Sequence, residues 1–394
     1  MWIVCQIGAR EHYAIARALI HKGALRMMVT DCWVNPGGII DLLPVAKKLR
    51  DRHHAQLHEA NVKAPNWTLL MFELRQRIKK RRGWSVNMAR NILFQRLAVR
   101  ILSKSKFLGN SHVIFSYSYA ARDLFEHARK RGWKTVLGQI DPGPEEERIV
   151  AAEHLRYPQL GSRWKPAPAE YWDLWREEIN LADTIVVNSE WSKQCLLKEG
   201  IPKEKLKIIP LVYDGAKNIS LLESGGGSQP ITGDGHQIYK VLFLGQINLR
   251  KGIGRLLEAM RLLKDDAIHL TLAGPCEIDE SAWHDLPNVK WVGSVPRSQV
   301  GQLYEEAEVF ILPTLSDGYA ITQLEALSRG LPVIASAHCG SAVDHGVNGW
   351  ILADIEPQTI AEAIRLSRRQ PLKPVVSEAT FSMDDLGDAL IDLV

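Results

Sequence analysis

Short apolar runs separated by helix-like stretches recur along most of the chain. Residues 2–8 (WIVCQIG) predict a buried strand, 12–22 a helix and 25–30 a second strand. Runs at 112–117 and 135–138 predict further strands with helical patterns between them. TIVVN (184–188) follows a helix, and LKIIP (206–210) closes the series. Strands alternating with helices predict a parallel sheet covered on both faces, because a parallel neighbour is reached only through a crossover.

The alternation stops at 223–235, ESGGGSQPITGDG, a composition that predicts a flexible linker or loop. A second series begins at Lys240, with strands near 240–244, 268–273, 289–292, 308–312 and 332–335. The pattern therefore predicts an α/β protein of two doubly wound Rossmann-type domains, 1–217 and 239–378, joined by a glycine-rich hinge at 218–238. Ligands of such sheets bind beyond the carboxyl ends of the strands, so the expected site is the cleft between the domains. The segment 381–394 predicts a helix apolar at Phe381, Leu386, Leu390 and Leu393.

A length of 394 residues suits two domains, and 46% hydrophobic with 24% charged residues excludes a disordered or fibrous chain. No apolar run approaches the roughly 20 residues that span a bilayer. The opening MWIVCQIGAREHY has no basic region before its apolar stretch, and it predicts a first strand, not a signal peptide. Cys5, Cys32, Cys195, Cys276 and Cys339 are scattered with no C-x-x-C pair, which argues against a disulfide framework or zinc site and predicts a cytoplasmic setting. The net charge of +4 is unevenly spread. Residues 1–106 hold 20 Lys/Arg against 6 Asp/Glu, a balance of +14, so the remainder carries −10. The run RQRIKKRR (75–82), near Phe72, Leu74 and Trp84, predicts weak attachment to an anionic membrane surface at its inner face. No nucleic-acid motif accompanies the charge.

Two stretches carry chemistry. In PTLSDGYAITQLEALSRGLPVIAS (313–336), a strand runs into a loop with Asp317 and Gly318, then a helix predicted over about 320–329. Such a helix start suits a phosphate, and Glu325 in its second turn leans back toward the same ligand. A carboxylate accepts two hydrogen bonds side by side, which suits the diol of a ribose. In VLFLGQINLRKG (241–252), Arg250 and Lys251 follow a strand and glycine turn, where two cations suit a diphosphate. A diphosphate flanked by ribose and sugar is a nucleotide sugar. Neither stretch is a Walker motif and no G-x-G-x-x-G follows the first strand, which disfavours ATP hydrolysis and hydride transfer.

The spacing from Asp317 to Glu325 resembles the E-x7-E motif of retaining GT-B glycosyltransferases of the family 4 type. EEINLADTIVVNSEWSKQCLLKEGIPKEKLKIIP (177–210), LAGP (272–275), VKWVGSVPRSQVGQLYEEAEVFILPT (289–314) and GVNGWIL (346–352) are similar to that family as well. The likeness covers about 177–360 and is looser before it. It implies a GT-B fold whose C-terminal helix crosses back onto the first domain, and a metal-independent transferase that retains anomeric configuration. It implies that Lys251 and Arg250 hold the donor diphosphate and Glu325 the ribose, with Asp317 on the sugar. By the same likeness the backbone of Gly318, Tyr319, Ala320 and Ile321 meets phosphate and sugar, Val292 and Gly293 lie near the base, and Gly8 faces the donor across the cleft.

The chain departs from the family pattern where Asp317 replaces a glutamate, where Gln246 replaces an arginine, and in HCGSAVDHG (338–346), which lacks a glutamate. GQIDPGPEEE (138–147) lacks the usual His-Asp or His-Glu pair and leaves Asp141 as the nearest candidate. His12, at the exit of the first strand, is a candidate for sugar or acceptor binding. The expected activity is transfer of a sugar from a UDP- or GDP-sugar, without a further cofactor, to a hydroxyl acceptor such as a sugar or lipid-linked sugar. The alternatives are an epimerase or hydrolase of nucleotide sugars, or a nucleotide-sugar-binding protein without catalysis.

Overall fold

The computed structural model describes residues 1–37, 52–107, 111–213, 238–340, 342–374 and 381–394. The predicted hinge at 218–238 lies outside the described residues except for its last position. Thirteen strands form two sheets among the described residues, and every pairing within them is parallel.

The first sheet contains β1 (Trp2–Gln6), β2 (Leu25–Thr30), β3 (Val62–Lys63), β4 (Val113–Tyr117), β5 (Lys134–Gln139), β6 (Thr184–Val187) and β7 (Leu206–Ile208), in the order β3-β2-β1-β4-β5-β6-β7. The second contains β8 (Tyr239–Leu244), β9 (Ile268–Ala273), β10 (Val289–Trp291), β11 (Val309–Leu312), β12 (Val333–Ser336) and β13 (Gly349–Leu352), in the order β10-β9-β8-β11-β12-β13. The central strands β1, β4 and β11 are buried along their whole length, as sheets covered by helices on both faces require. In each sheet the strand order reverses once, between β1 and β4 and between β8 and β11. Those crevices at the carboxyl ends are where doubly wound sheets bind ligands. Gly8, the 118–121 loop, the 245–252 loop and the 313–320 loop all follow these four strands.

The predicted strands at 25–30 and 268–273 coincide with β2 and β9. The predicted helix at 12–22 is a 3-10 turn, Arg10–Tyr13, followed by the helix Ala14–His21. β3 and β13 were not among the predicted strands; one is a two-residue edge strand and the other begins in glycine.

The helix Met383–Ile391 lies on the first domain. Leu386 and Leu390 join the cluster of Tyr13, Ala14, Ala18 and Leu19, with Phe381 and Leu393 packed beside it. A Ser382–Asp385 capping box starts this helix, and Lys22 bonds Asp388 at 2.7 Å. Exchange runs the other way too. Tyr157 and Leu160, after the helix Pro144–Arg156, are buried in the core of the second domain. Arg255 there grips Glu153 with two bonds of 2.8 Å. The Asp279 N–H donates to the Leu160 carbonyl at 2.8 Å.

Candidate functional site

The loops after β8 and β11 are stitched together before any side chain acts. The Arg250 carbonyl accepts the Leu315 N–H at 2.9 Å and the Thr314 hydroxyl at 3.2 Å. Gly252 permits this approach: its φ is 75°, and a Cβ there would stand 2.0 Å from the Pro313 carbonyl oxygen. Asn248 caps the turn Leu249–Lys251, its side chain accepting the Lys251 N–H at 3.1 Å. The Asp317 N–H donates to the His338 carbonyl at 3.0 Å, which fixes the second loop.

This scaffold brings Arg250, Lys251 and Asp317 together. Lys251 Nζ is in direct contact with Asp317 Oδ2, and Arg250 Nη1 lies 3.5 Å from Asp317 Oδ1 and 3.1 Å from the Ser316 carbonyl. Burial opposes ionisation of Asp317, but Lys251 and Arg250 outweigh it and hold the carboxyl below its usual range. Gly318 lets the first domain approach, since a Cβ there would meet the Ile140 carbonyl oxygen at 2.2 Å.

Asp141 therefore stands beside this cluster. Its Oδ1 accepts from the Tyr119 hydroxyl at 2.6 Å, from Gln139 Nε2 at 3.0 Å and from the Gly143 N–H at 2.9 Å. Burial raises its pKa against those donors. Tyr119 is held at φ 72° by Glu178, which accepts the N–H groups of Tyr119, Ala121 and Arg122 at 2.6, 2.8 and 3.3 Å. Backbone strain of this kind persists where surrounding bonds over-determine it.

Glu146, which the sequence reading did not single out, faces the same cluster with Oε2 3.7 Å from Arg250 Nη1. Burial pushes its carboxyl up to about 8; Arg250 opposes this, while Asp141 and Asp317 add to it. Its neighbours in the run 145–147 go elsewhere. Glu145 pairs with Lys198 and Arg148, and Glu147 accepts Trp172 Nε1 at 2.9 Å. No sequence pattern separates the three carboxylates.

The other predicted residues line the approaches. Glu325 Oε2 accepts the hydroxyl of the buried Tyr304 at 3.0 Å. The helix that carries Glu325 is Ile321–Leu327, shorter than the predicted 320–329, so the positive charge for an anion comes mainly from Arg250 and Lys251. Ala320 is buried and the Tyr319 ring packs on Gly340, so both face inward; Gly318 and Ile321 complete the loop and helix start. Val292 is exposed after β10, and space is open beside Gly293.

Across the cleft, the Gly8 N–H donates to Asp31 Oδ1 at 2.8 Å, and Arg52 pairs with Asp31 at 2.9 Å. Glu11, His12 and Tyr13 all take left-handed φ, at 51°, 49° and 62°. They place His12 Nε2 2.9 Å from Arg297 Nη1 of the second domain.

Two parallel-sheet domains with cations, carboxylates and glycine turns at both switch points define a GT-B fold. The model of the family glycosyl transferases group 1 matches residues 238–367, which make up most of the second domain, so this part of the chain is similar to that family. Amylovoran biosynthesis glycosyltransferase AmsK of Erwinia amylovora is 29% identical over 48% of this chain and 49% of its own length. The putative colanic acid biosynthesis glycosyltransferase WcaL of Escherichia coli is 22% identical over 50% of each chain. The chain thus spans about half the length of these curated relatives. Among solved structures, Anabaena HepE in complex with UDP and glucose superposes with a TM-score of 0.59 at 16% identity, covering 100% of this chain and 98% of that one. TarM gives 0.59 at 10% identity, covering 100% and 95%.

Among the described residues no helix is long and apolar enough to cross a membrane. All five cysteines are free and four are buried.

Proposed function

We propose that the protein transfers a sugar from a nucleotide-diphosphate sugar, UDP- or GDP-linked, to a hydroxyl acceptor in polysaccharide or glycolipid synthesis. The observation that carries this is the convergence of Lys251, Arg250 and Asp317 on one point of the cleft, with Glu325 eight residues beyond Asp317 on the adjoining helix. The amylovoran and colanic acid biosynthesis for which AmsK and WcaL are named, and the UDP and glucose held by HepE, support it.

In this reading the bond from the anomeric carbon to the diphosphate oxygen breaks, and the acceptor hydroxyl oxygen bonds that carbon on the same face. The hydroxyl proton passes to the departing diphosphate. Lys251 and Arg250 meet the charge that grows on it, the service a metal ion gives elsewhere. Glu325, oriented by Tyr304, holds the ribose and Asp317 holds the transferred sugar. Gly8, His12 and Asp141 close the site from the first domain, and Val292 and Gly293 border the base. The test is release of free nucleoside diphosphate from UDP- and GDP-sugars, with and without acceptor glycans, together with the anomeric configuration of the product. Conversion of the donor sugar without an acceptor, or no turnover of any donor, contradicts it.

The same reading puts the first domain on an anionic bilayer at the inner face of the membrane. Trp67, Met71, Leu74 and Ile78, spaced four, three and four apart on the helix Asn66–Ile78, are 58%, 48%, 49% and 71% exposed. Arg75, Arg77 and Lys79 to Arg82 flank this stripe. Of the aromatics expected beside the basic run, Trp84 turns inward to Tyr171, at 4.8 Å between ring centroids, and Phe72 is half-buried. Each cation near such a surface contributes about 1 kcal/mol. Flotation with phosphatidylglycerol vesicles that is indifferent to salt, or equal with phosphatidylcholine, contradicts attachment.

A further inference from the structure

Arg250, which touches Asp317, also lines a cavity of about 270 Å³ between the domains. Asp141 and Gly143 line it too, whereas Gly8, His12, Gly293 and Glu325 do not. It therefore opens beside the diphosphate group Arg250 and away from the residues assigned to the ribose and base, Glu325 and Gly293.

Its walls are aromatic and held in place. Tyr171 stacks on Tyr119 with centroids 4.7 Å apart and planes 19° from parallel, and Trp164 stacks on His154 at 4.6 Å. The indole N–H groups of Trp84 and Trp172 are occupied by the Lys165 carbonyl at 3.1 Å and by Glu147 at 2.9 Å. Ring edges are thus tied while the cavity is bordered by apolar ring surface. Carboxylates supply the polar side: Asp141, Glu146, Glu147 and Glu277 line the cavity, and Arg250 is the one Lys or Arg among its described lining residues.

Aromatic surface packs against the C–H faces of a pyranose, and carboxylates accept hydrogen bonds from its hydroxyls. One guanidinium among four carboxyl groups, of which burial keeps Glu146 largely protonated at neutral pH, gives an anionic ring little attraction, and the volume lies just below the usual range of small-molecule pockets. We propose that this cavity binds the terminal ring of the acceptor, a neutral hexopyranoside, with its reactive hydroxyl toward Asp141 and Arg250. This rests on the glycosyl-transfer reading for the word acceptor; the binding of a neutral sugar does not.

The test is saturation-transfer NMR with methyl glucoside, methyl galactoside, methyl mannoside and methyl glucuronide, with and without UDP. At least one neutral glycoside is expected to show saturated ring protons, undiminished by UDP, while the glucuronide shows none. Trp84→Ala and Trp164→Ala are expected to cut that signal at least threefold, with UDP affinity by calorimetry within twofold of the parent as proof of folding. Trp164 lies outside helices and strands, so its variant serves if Trp84→Ala fails to fold. No signal from any neutral glycoside, a signal unchanged in the folded variants, competition by UDP, or an equal signal from the glucuronide overturns the proposal. If instead UDP and GDP fail to bind while the tryptophan-dependent sugar signal stands, the transfer reading falls and the sugar site remains.

Discussion

Neutralising Asp317 separates the two carboxylates of the motif. Asp317 lies against Lys251 and within 3.5 Å of Arg250, and its side chain is 16% exposed against 12% and 25% for the two cations. Asp317→Asn keeps the shape and removes the charge, leaving two poorly solvated cations with Glu146 and Asp141 as the remaining nearby carboxyl groups. A charge-assisted hydrogen bond contributes about 1.5–3 kcal/mol, and partial exposure favours the lower half of that range. The nucleotide-free variant should lose roughly 2 kcal/mol, a fall of about 4–8 °C in Tm for a domain of this size.

The loss depends on pH in a defined direction. A carboxyl held below its usual range contributes stability above that range and loses it in acid, so parent and variant should converge as pH falls below about 4. Binding should move the other way. A diphosphate competes with Asp317 for Lys251, so free UDP should bind the variant roughly three- to tenfold more tightly, up to about 1.4 kcal/mol, while sugar transfer falls. Melting with and without UDP, calorimetry and turnover measure all three. Weaker UDP binding in Asp317→Asn, comparable to that in Glu325→Gln, would refute the division of roles.

Glu146 binds its proton more tightly in the folded chain, so its contribution to stability declines as pH rises from about 4.5 to about 8. Glu146→Gln should match the parent in melting at pH 5 and exceed it by a few degrees at pH 8.5; an equal difference at both would count against the buried placement. Gly318→Ala drives a methyl toward the Ile140 carbonyl oxygen, so it should lower transfer at least tenfold while UDP affinity stays within about threefold, and normal turnover would contradict the close domain approach. Leu390 is fully buried against the first domain, so Leu390→Ala should cost about 2–5 kcal/mol in urea melts, with the first-domain transition shifting; a shift confined to the second domain would refute that packing.

Much of this architecture is visible in the chain because parallel strands buried on both faces read as unbroken apolar runs. LRMMVT and IHLTLA end sharply, since Asp31 and Gly274 follow them. Val62–Lys63 escapes because two edge residues carry no periodicity, and Gly349–Leu352 because its motif reads first as a turn. Lys251, Arg250 and Asp317 are recognisable because strand, turn and spacing set them on neighbouring loops. Glu146 and Glu178 are not: each sits in a helix of ordinary acidic composition, and only packing across more than 50 residues turns one toward Arg250 and the other under Tyr119. Trp84 misleads for the same reason, since adjacency to a basic run says nothing of which way the helix that starts there faces.

Everything proposed for the cleft depends on its binding a nucleotide diphosphate through Lys251 and Glu325. Calorimetry with UDP and GDP on the parent, Lys251→Ala and Glu325→Gln tests it most directly. One of the two nucleotides is expected to bind the parent, and each substitution to weaken it about tenfold or more, as loss of a charge-assisted bond requires. Binding of neither nucleotide to the parent, or undiminished binding to both variants, would contradict it.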